Sequence, residues 1–351
     1  MEMKKFAYVL LLLAAVVACA PKQARWSEKK AQEWYSALPW QAGCDYIPAS
    51  AINQIEMWSA ETFDTAGIDR ELGWAEDLGF NTLRVYLSSV VYEADPEGMK
   101  ARMDTFLSIA SKHGIRPLFV IFDDCWNPES SYGTQPAPKT GIHNSGWVQD
   151  PSKSSRADTT VLFPKLEKYV TDIMTTFGND SRILLWDLYN EPGNSDYGNA
   201  SLPLLKAVFR WAQAVRPSQP LSAGVWRNDL KDLNAFQLNN SDITTYHCYD
   251  TPDIQQQAID TLAKYGRPMI CTEYMARTRG CTFQNTMPLL KKNNVGAINW
   301  GFVSGKTNTI YAWSSPMPEG GEPELWFHDI FRPDGTPYNK EETDLIKSLT
   351  R

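Results

Sequence analysis

The sequence predicts an α/β fold, a (β/α)8 TIM barrel in a single domain, on three observations. Short β-rich runs alternate with longer helical ones along the whole chain, the pattern of parallel strands joined by crossover helices. Eight such strand runs follow one another, the number that closes a barrel with moderate loop insertions. No G-x-G-x-x-G follows any of them, which removes the main signature of a doubly wound open sheet. There is no Ser/Gly-rich linker, no internal repeat and no compositional break after residue 40, so one domain is expected over residues 35–351.

The elements follow in order. Gly43 to Ile47 is the first strand, and the helical spacing of Ile68 to Leu78 returns the chain to Thr82–Leu87. The helix Gly98–His113 leads to Pro117–Phe122, and the long helix Thr160–Phe177 leads to Ile183–Tyr189. Helix Leu202–Val215 precedes Leu221–Val225, after which a short helix gives Ile243–His247. Helix Ile254–Tyr265 is followed by Pro268–Glu273, helix Thr286–Asn293 by Gly296–Trp300, and a last helix runs from about Lys340 to Leu349. Residues Asp123 to Ser152 have no period and carry four Pro and three Gly, and a stretch of that length in a compact domain is usually functional. It is expected to form one wall of a cleft.

Composition narrows the function. The 351 residues carry 34 Lys and Arg against 41 Asp and Glu, a net charge of −7, and the pI is near 5.3. Without a basic stripe, a phosphate backbone has nothing to bind, so nucleic acid is excluded as a partner. Aromatics reach 12%, with 13 Trp and 15 Tyr, of a kind that flat apolar sugar faces favour.

At the N-terminus, Lys4 and Lys5 precede an uncharged apolar run from Phe6 to Ala18, too short to span a bilayer and patterned as an export signal. Val16-Val17-Ala18-Cys19 resembles a bacterial lipobox. That resemblance implies a signal peptide over 1–18, Cys19 as the lipid-bearing mature N-terminus, a tether over 19–34, and a cell-envelope lipoprotein that meets the membrane only through its lipid. The other cysteines, Cys44, Cys125, Cys248, Cys271 and Cys281, are odd in number and show no C-x-x-C spacing. Cys271 and Cys281 could bridge, or all could be buried thiols. The four His residues show no ligand pairing, so no metal is expected.

The chemistry sits at the strand ends, where barrels keep it. The fourth strand ends in Asn190-Glu191-Pro192 and the seventh in Glu273-Tyr274, which delivers two carboxyls to one rim. Glycosidic cleavage uses such a pair, one protonated to serve the leaving oxygen and one ionised. Arg84, at the end of the second strand, can pair with Glu273 and favour its ionised form. Tyr249 can donate to the same carboxylate, His247 can orient Glu191, Asn190 can bond a sugar 2-hydroxyl, and Trp300 offers a plate for a sugar face. Trp126, Trp147, Trp226 and His143 are expected to line the cleft.

Arg84 on the second strand, Asn190-Glu191-Pro192 on the fourth, His247-x-Tyr249 on the sixth, Glu273 on the seventh and Trp300 on the eighth form an ordered set that resembles the clan A glycoside hydrolases, in particular the family 5 cellulase-like group. The resemblance implies a retaining double displacement on β-linked glycans (cellulase-, mannanase- or xylanase-like), with Glu191 as acid/base, Glu273 as nucleophile, an oligo- or polysaccharide substrate and no cofactor. The chain departs from the pattern in having Asp123-Asp124-Cys125-Trp126 where many relatives carry a His, and Ser88-Ser89 after the second strand. A monomer is expected. Two other readings remain: exo action or transglycosylation by the same pair, with Ala49–Thr62, including Trp58, and the long third loop closing one end of the cleft, or a glycan-binding lipoprotein without turnover.

Overall fold

The computed structural model describes residues 25–351, so the expected signal peptide and Cys19 lie outside the described residues. Eight strands form the barrel wall: β1 Ala42–Asp45, β2 Thr82–Tyr86, β3 Arg116–Val120, β4 Trp186–Asp187, β5 Leu221–Ser222, β6 Thr244–His247, β7 Met269–Glu273 and β8 Gly296–Asn299. All ladders are parallel, in the order β5-β4-β3-β2-β1-β8-β7-β6. Val225 closes the circle, donating its N–H to Thr245 O at 3.1 Å and accepting from His247 N at 3.0 Å. Every observed strand overlaps the expected one. The ladders of β4 and β5 are only two residues long, although backbone bonds continue beside β4, where Leu184 N–H donates to Pro117 O at 2.8 Å and Leu188 N–H to Ser222 O at 2.7 Å.

Crossover helices begin where short polar side chains cap them. Asp64 accepts from Gly67 N, Asp95 from Gly98 N and Asp158 from Thr160 N, at the starts of Thr65–Asp77, Pro96–Lys112 and Thr159–Phe177. Pro96 adds a backbone preset for a first helical turn. The strands alternate as the pleat requires: Leu83 and Val85 of β2 pack outward in the main hydrophobic core, while Arg84 and Tyr86 turn into the barrel.

The expected tether is corrected. Residues 25–34 are docked, and Glu28–Ser36 is a helix capped by Ser27. Arg25 donates to the carbonyls of Ser241 and Leu238, and Trp26 N–H donates to Asp242. Trp26, Ala31 and Tyr35 pack onto Leu118, Leu185, Ile243, Ile270 and Ile298, the inward residues at the bottom of five strands. An apolar barrel floor left in water would cost about 25 cal/mol for every Å² exposed, and this helix covers it. The five cysteines within the described residues are free and buried, so Cys271 and Cys281 do not bridge. Among the described residues no helix is long and apolar enough to cross a membrane.

Candidate active site

Arg84 is the foundation of the site. Fully buried, it ion-pairs with three carboxylates, Asp45 at 2.9 Å, Asp187 at 2.9 Å and Glu273 at 2.7 Å, and donates to Asn190 Oδ1 at 2.7 Å and to the Tyr86 hydroxyl at 2.7 Å. Burial pushes Asp45 well above the usual carboxylate range, with Arg84 opposing and Glu273 and Asp187 adding to the rise. One guanidinium cannot fully neutralise three buried carboxylates, and of the three it is Asp45 whose charged form burial disfavours.

Glu273 reaches the barrel interior through a bulge. Cys271 packs outward beside Gln255, and in a regular strand a residue two positions later would share that face. The register slips between the pairs Tyr246↔Cys271 and His247↔Glu273, leaving Thr272 as an extra residue in β7 and re-aiming Glu273 inward. Its Oε1 accepts from Arg84 and from Tyr86 at 3.1 Å, and its Oε2 accepts from Tyr249 at 2.7 Å. Burial and the neighbouring Glu273 charge hold the Tyr249 hydroxyl well above its ordinary pKa, so it stays a donor.

Glu191 stands across the cleft, on a backbone with φ +44°, a left-handed conformation costly for a residue with a side chain. Its Oε1 lies 2.8 Å from His247 Nδ1, while Oε2 accepts from Asn194 at 2.5 Å and from the Cys125 thiol at 3.4 Å. Burial works to raise this carboxyl, but the hydrogen bond and charge of His247, with the Asn194 and Cys125 contacts, bring it below its ordinary value. Behind it, burial lifts Asp123 to about 7 against hydrogen bonds from Trp147, Asn190 and Cys125.

Glu191, His247 and Glu273 have donor atoms within 4.8 Å of one another, a spacing that a cation could use. The donors already on both oxygens of Glu273, one of them a guanidinium, oppose that use. The same spacing brings two carboxyls to bear on one bond between them.

These groups open into a cleft of about 810 Å³. The aromatic residues expected as its lining are there: Trp126, Trp147, Trp226, Trp300 and His143. They differ in exposure. Trp126 is 38% exposed, whereas Trp147 is 2% exposed, wedged against Tyr86 and Trp300. His143 is buried, its Nδ1–H donating to Tyr311 O, and burial lowers its pKa to about 4. The long third loop forms the expected wall, interlocked with the loop after β8: Asn144 N–H donates to Thr307 O at 2.8 Å and Met317 N–H to Gly141 O at 3.0 Å. Trp58 plays no part in the cleft. It is fully buried beneath the first loop and donates to Tyr86 O.

A family model described as cellulase (glycosyl hydrolase family 5) matches residues 48–305. The chain belongs to glycosyl hydrolase family 5. It is a glycosidase. No curated protein matches the sequence. Among solved structures, the chain is similar to an endo-1,4-β-D-mannanase from Thermotoga petrophila RKU-1, with TM-score 0.57 and 16% identity over 89% of this chain and 99% of that one. A GH5_18 enzyme from Streptomyces cattleya in complex with Manb1-4GlcNAc gives TM-score 0.62 and 13% identity over 89% and 80%. An exo-β-1,4-mannosidase from Opitutaceae bacterium strain TAV5 gives 0.57 and 16% over 89% and 59%. At such identities the likeness is one of fold.

For this family 5 chain, the residues read from the sequence converge: Arg84, Asn190, Glu191, His247, Tyr249, Glu273 and Trp300 share one site. Asn190 is the exception in use. Its amide is spent within the protein, accepting from Arg84 and donating to Asp123 at 2.9 Å. Sequence reading missed Tyr86, Asp45 and Asp187 around Arg84, Asn194 and Cys125 at Glu191, and Trp313, which lines the cleft edge-on to Tyr249. Tyr86 was findable, two residues after Arg84 on one strand and so on the same face.

Proposed function

We propose that this glycosidase hydrolyses β-linked glycans with retention of configuration, Glu273 acting as nucleophile and Glu191 as acid/base. The observation that carries this reading is the oxygen-to-oxygen approach of Glu191 and Glu273, within 4.8 Å, which suits the ~5 to 5.5 Å spacing of retaining enzymes and is too short for a water between the carboxyls and the sugar. Three donors on Glu273 favour a carboxylate that attacks. Oε2, with one close donor, is the oxygen free to bond the anomeric carbon. As that bond forms, the glycosidic C–O bond breaks and the leaving oxygen takes the proton of Glu191. Glu191 then removes a proton from water as the water attacks the anomeric carbon and frees Glu273. Glu191 must hold a proton for the first step. Burial, the largest influence on this carboxyl, favours that acid form, against the hydrogen bonds from His247, Asn194 and Cys125.

Mannanase and mannosidase names among the structural neighbours make β-mannosides the first substrates to test, beside β-glucan and xylan. Azide tests the roles. Glu273→Ala with azide is expected to give an α-glycosyl azide, and Glu191→Ala a β-glycosyl azide; exchanged anomers would reverse the assignment, and no product from either would favour a glycan-binding protein without turnover. The interlocked third and eighth loops favour a second reading, exo action, in which monosaccharide or disaccharide is the sole early product; transglycosylation by the same pair would show as lengthened products. We further propose that Cys19 anchors the enzyme to the cell envelope by lipid.

A further inference from the structure

In the stretch Asp123-Asp124-Cys125-Trp126 after β3, Cys125 touches Glu191, and the reaction described so far gives that contact no role. Its backbone is pinned, since its N–H donates to Asp123 Oδ1 at 2.9 Å and the next residue, Trp126, takes the left-handed φ of +70°. That turn sends the side chain under Glu191. The sulfur accepts from the side-chain amides of Asn190, at 3.4 Å, and Asn194, at 3.3 Å, so its own hydrogen is directed to Glu191 Oε2 at 3.4 Å. Two strained residues, Trp126 and Glu191, on neighbouring loops are thus held in register around one sulfur. Backbone strain costs on the order of 1–3 kcal/mol at each, and side-chain entropy alone gives no reason to hold it there.

We propose that Cys125 is a positioning residue for Glu191, holding its carboxyl in one orientation through both halves of the reaction. The inference rests on Glu191 being the acid/base. Such a group is a carboxylic acid in one step and a carboxylate in the next. An amide nitrogen like that of Asn194 can only donate, so it serves the ionised form alone. A thiol donates to the carboxylate and, by rotating its S–H while Asn194 turns its shared N–H wholly to Glu191 Oε2, accepts from the acid. Because sulfur is a weak partner in both directions, neither protonation state is held so firmly that the proton is slow to leave. The other groups facing Glu191 are His247 from β6, Glu273 from β7 and Tyr249 beyond β6, with Asp123 reaching it through Asn190 and the Cys125 backbone. Among the described residues only Cys125 bridges Glu191 to the loop that carries Asp123.

The test uses leaving groups, because only poor ones need the acid. With the full-length enzyme, kcat/KM would be measured for a 2,4-dinitrophenyl β-glycoside and for the disaccharide of the same sugar, in the wild type, Cys125→Ala, Cys125→Ser and Cys125→Val. Cys125→Ala and Cys125→Val are expected to lose roughly tenfold or more on the disaccharide and less than about twofold on the dinitrophenyl glycoside. Their alkaline limb should move upward, since a donor to the charged form has been removed. Cys125→Ser, which keeps a group able to donate and accept, should recover most of the disaccharide activity. Equal losses on both substrates, an unmoved alkaline limb, or failure of Ser to outperform Val would each overturn the proposal. Glu191→Ala is the control for the reading beneath it. If Glu191→Ala spares the dinitrophenyl glycoside alone while Cys125→Ala does not, the role of Cys125 falls and that of Glu191 stands; if Glu191→Ala keeps disaccharide activity, both fall.

Discussion

Arg84→Met removes the one cation from a buried cluster of acids while keeping most of the stem's volume. In the wild type the guanidinium meets Asp45, Asp187 and Glu273 at 2.9, 2.9 and 2.7 Å, and the acid side chains are no more than 6% exposed. Breaking a buried ion pair by deleting one partner costs about 3–5 kcal/mol, because the other charge is stranded. Three pairs share one cation here, so their costs do not add, and about 3–5 kcal/mol is the expected loss for the network as a whole. The sign of its pH dependence follows from Asp45. Burial already raises this acid in the folded state against the opposing pull of Arg84, and without Arg84 it rises further. A raised acid contributes stability that is full below the unfolded value of about 3.9 and is lost as pH increases. Arg84→Met should therefore lose more stability at pH 8 than at pH 5, read as the midpoint of urea unfolding. Activity should fall on every substrate, unlike the leaving-group selectivity expected at Cys125, because displacing the proposed nucleophile by about 1 Å costs on the order of a hundredfold. A variant with equal midpoint losses at the two pH values, or with more than a tenth of wild-type kcat/KM on a dinitrophenyl glycoside, would refute the claim that Arg84 both neutralises the cluster and aims Glu273.

Asp45→Asn carries the same reasoning in the opposite direction: the amide imitates the protonated acid, so the variant should gain stability relative to the wild type as pH rises from about 4 upward while keeping at least about half the activity. A midpoint that falls further behind the wild type at higher pH would show Asp45 to be ionised. For the proposed anchor, Cys19→Ser should move the protein from the membrane fraction to the soluble fraction, and unchanged fractionation would remove the lipid from the account.

Most of the barrel was legible because parallel strands in a closed barrel are covered on the outside by helices and filled on the inside, so they stand out as short apolar runs between amphipathic ones. Legibility failed where the ladder is not what makes a residue apolar. Ile183 to Tyr189 reads as one seven-residue strand; the regular ladder covers only Trp186 and Asp187, single backbone bonds from Leu184 to Pro117 and from Leu188 to Ser222 extend it, and the flanking residues are apolar because they line the core and the site. The N-terminal helix was missed for a related reason. Ser27 followed by Glu28 is a capping signal and Ala31 with Tyr35 is one helical face, yet nothing local says that five strands end in an uncovered apolar floor. That demand arises only once Leu118, Leu185, Ile243, Ile270 and Ile298 have been brought together.

The site divides in the same way. Arg84, Glu191 and Glu273 were readable because Glu273 ends β7, Glu191 follows β4 and Arg84 lies within β2, and residues at and just beyond the strand ends of one rim converge in any barrel of this kind. The manner of convergence was not readable. Alternation counted from Cys271, which packs outward, sends Glu273 outward too, and only the extra residue at Thr272 reverses it. Glu191 needs a left-handed backbone that its residue type disfavours, and Cys125 comes beneath it because Trp126 adopts the same unfavourable turn. Propensity argues against each of these local conformations. What maintains them is the polar network that they complete, in which the Asp123 carboxylate fixes the Cys125 N–H, the Trp147 indole and the Asn190 amide, and Asn190 in turn receives Arg84. Local sequence rules fail at these positions because the residues there are held for the geometry of two carboxyls, and the surrounding fold supplies the stability that the local conformations give up.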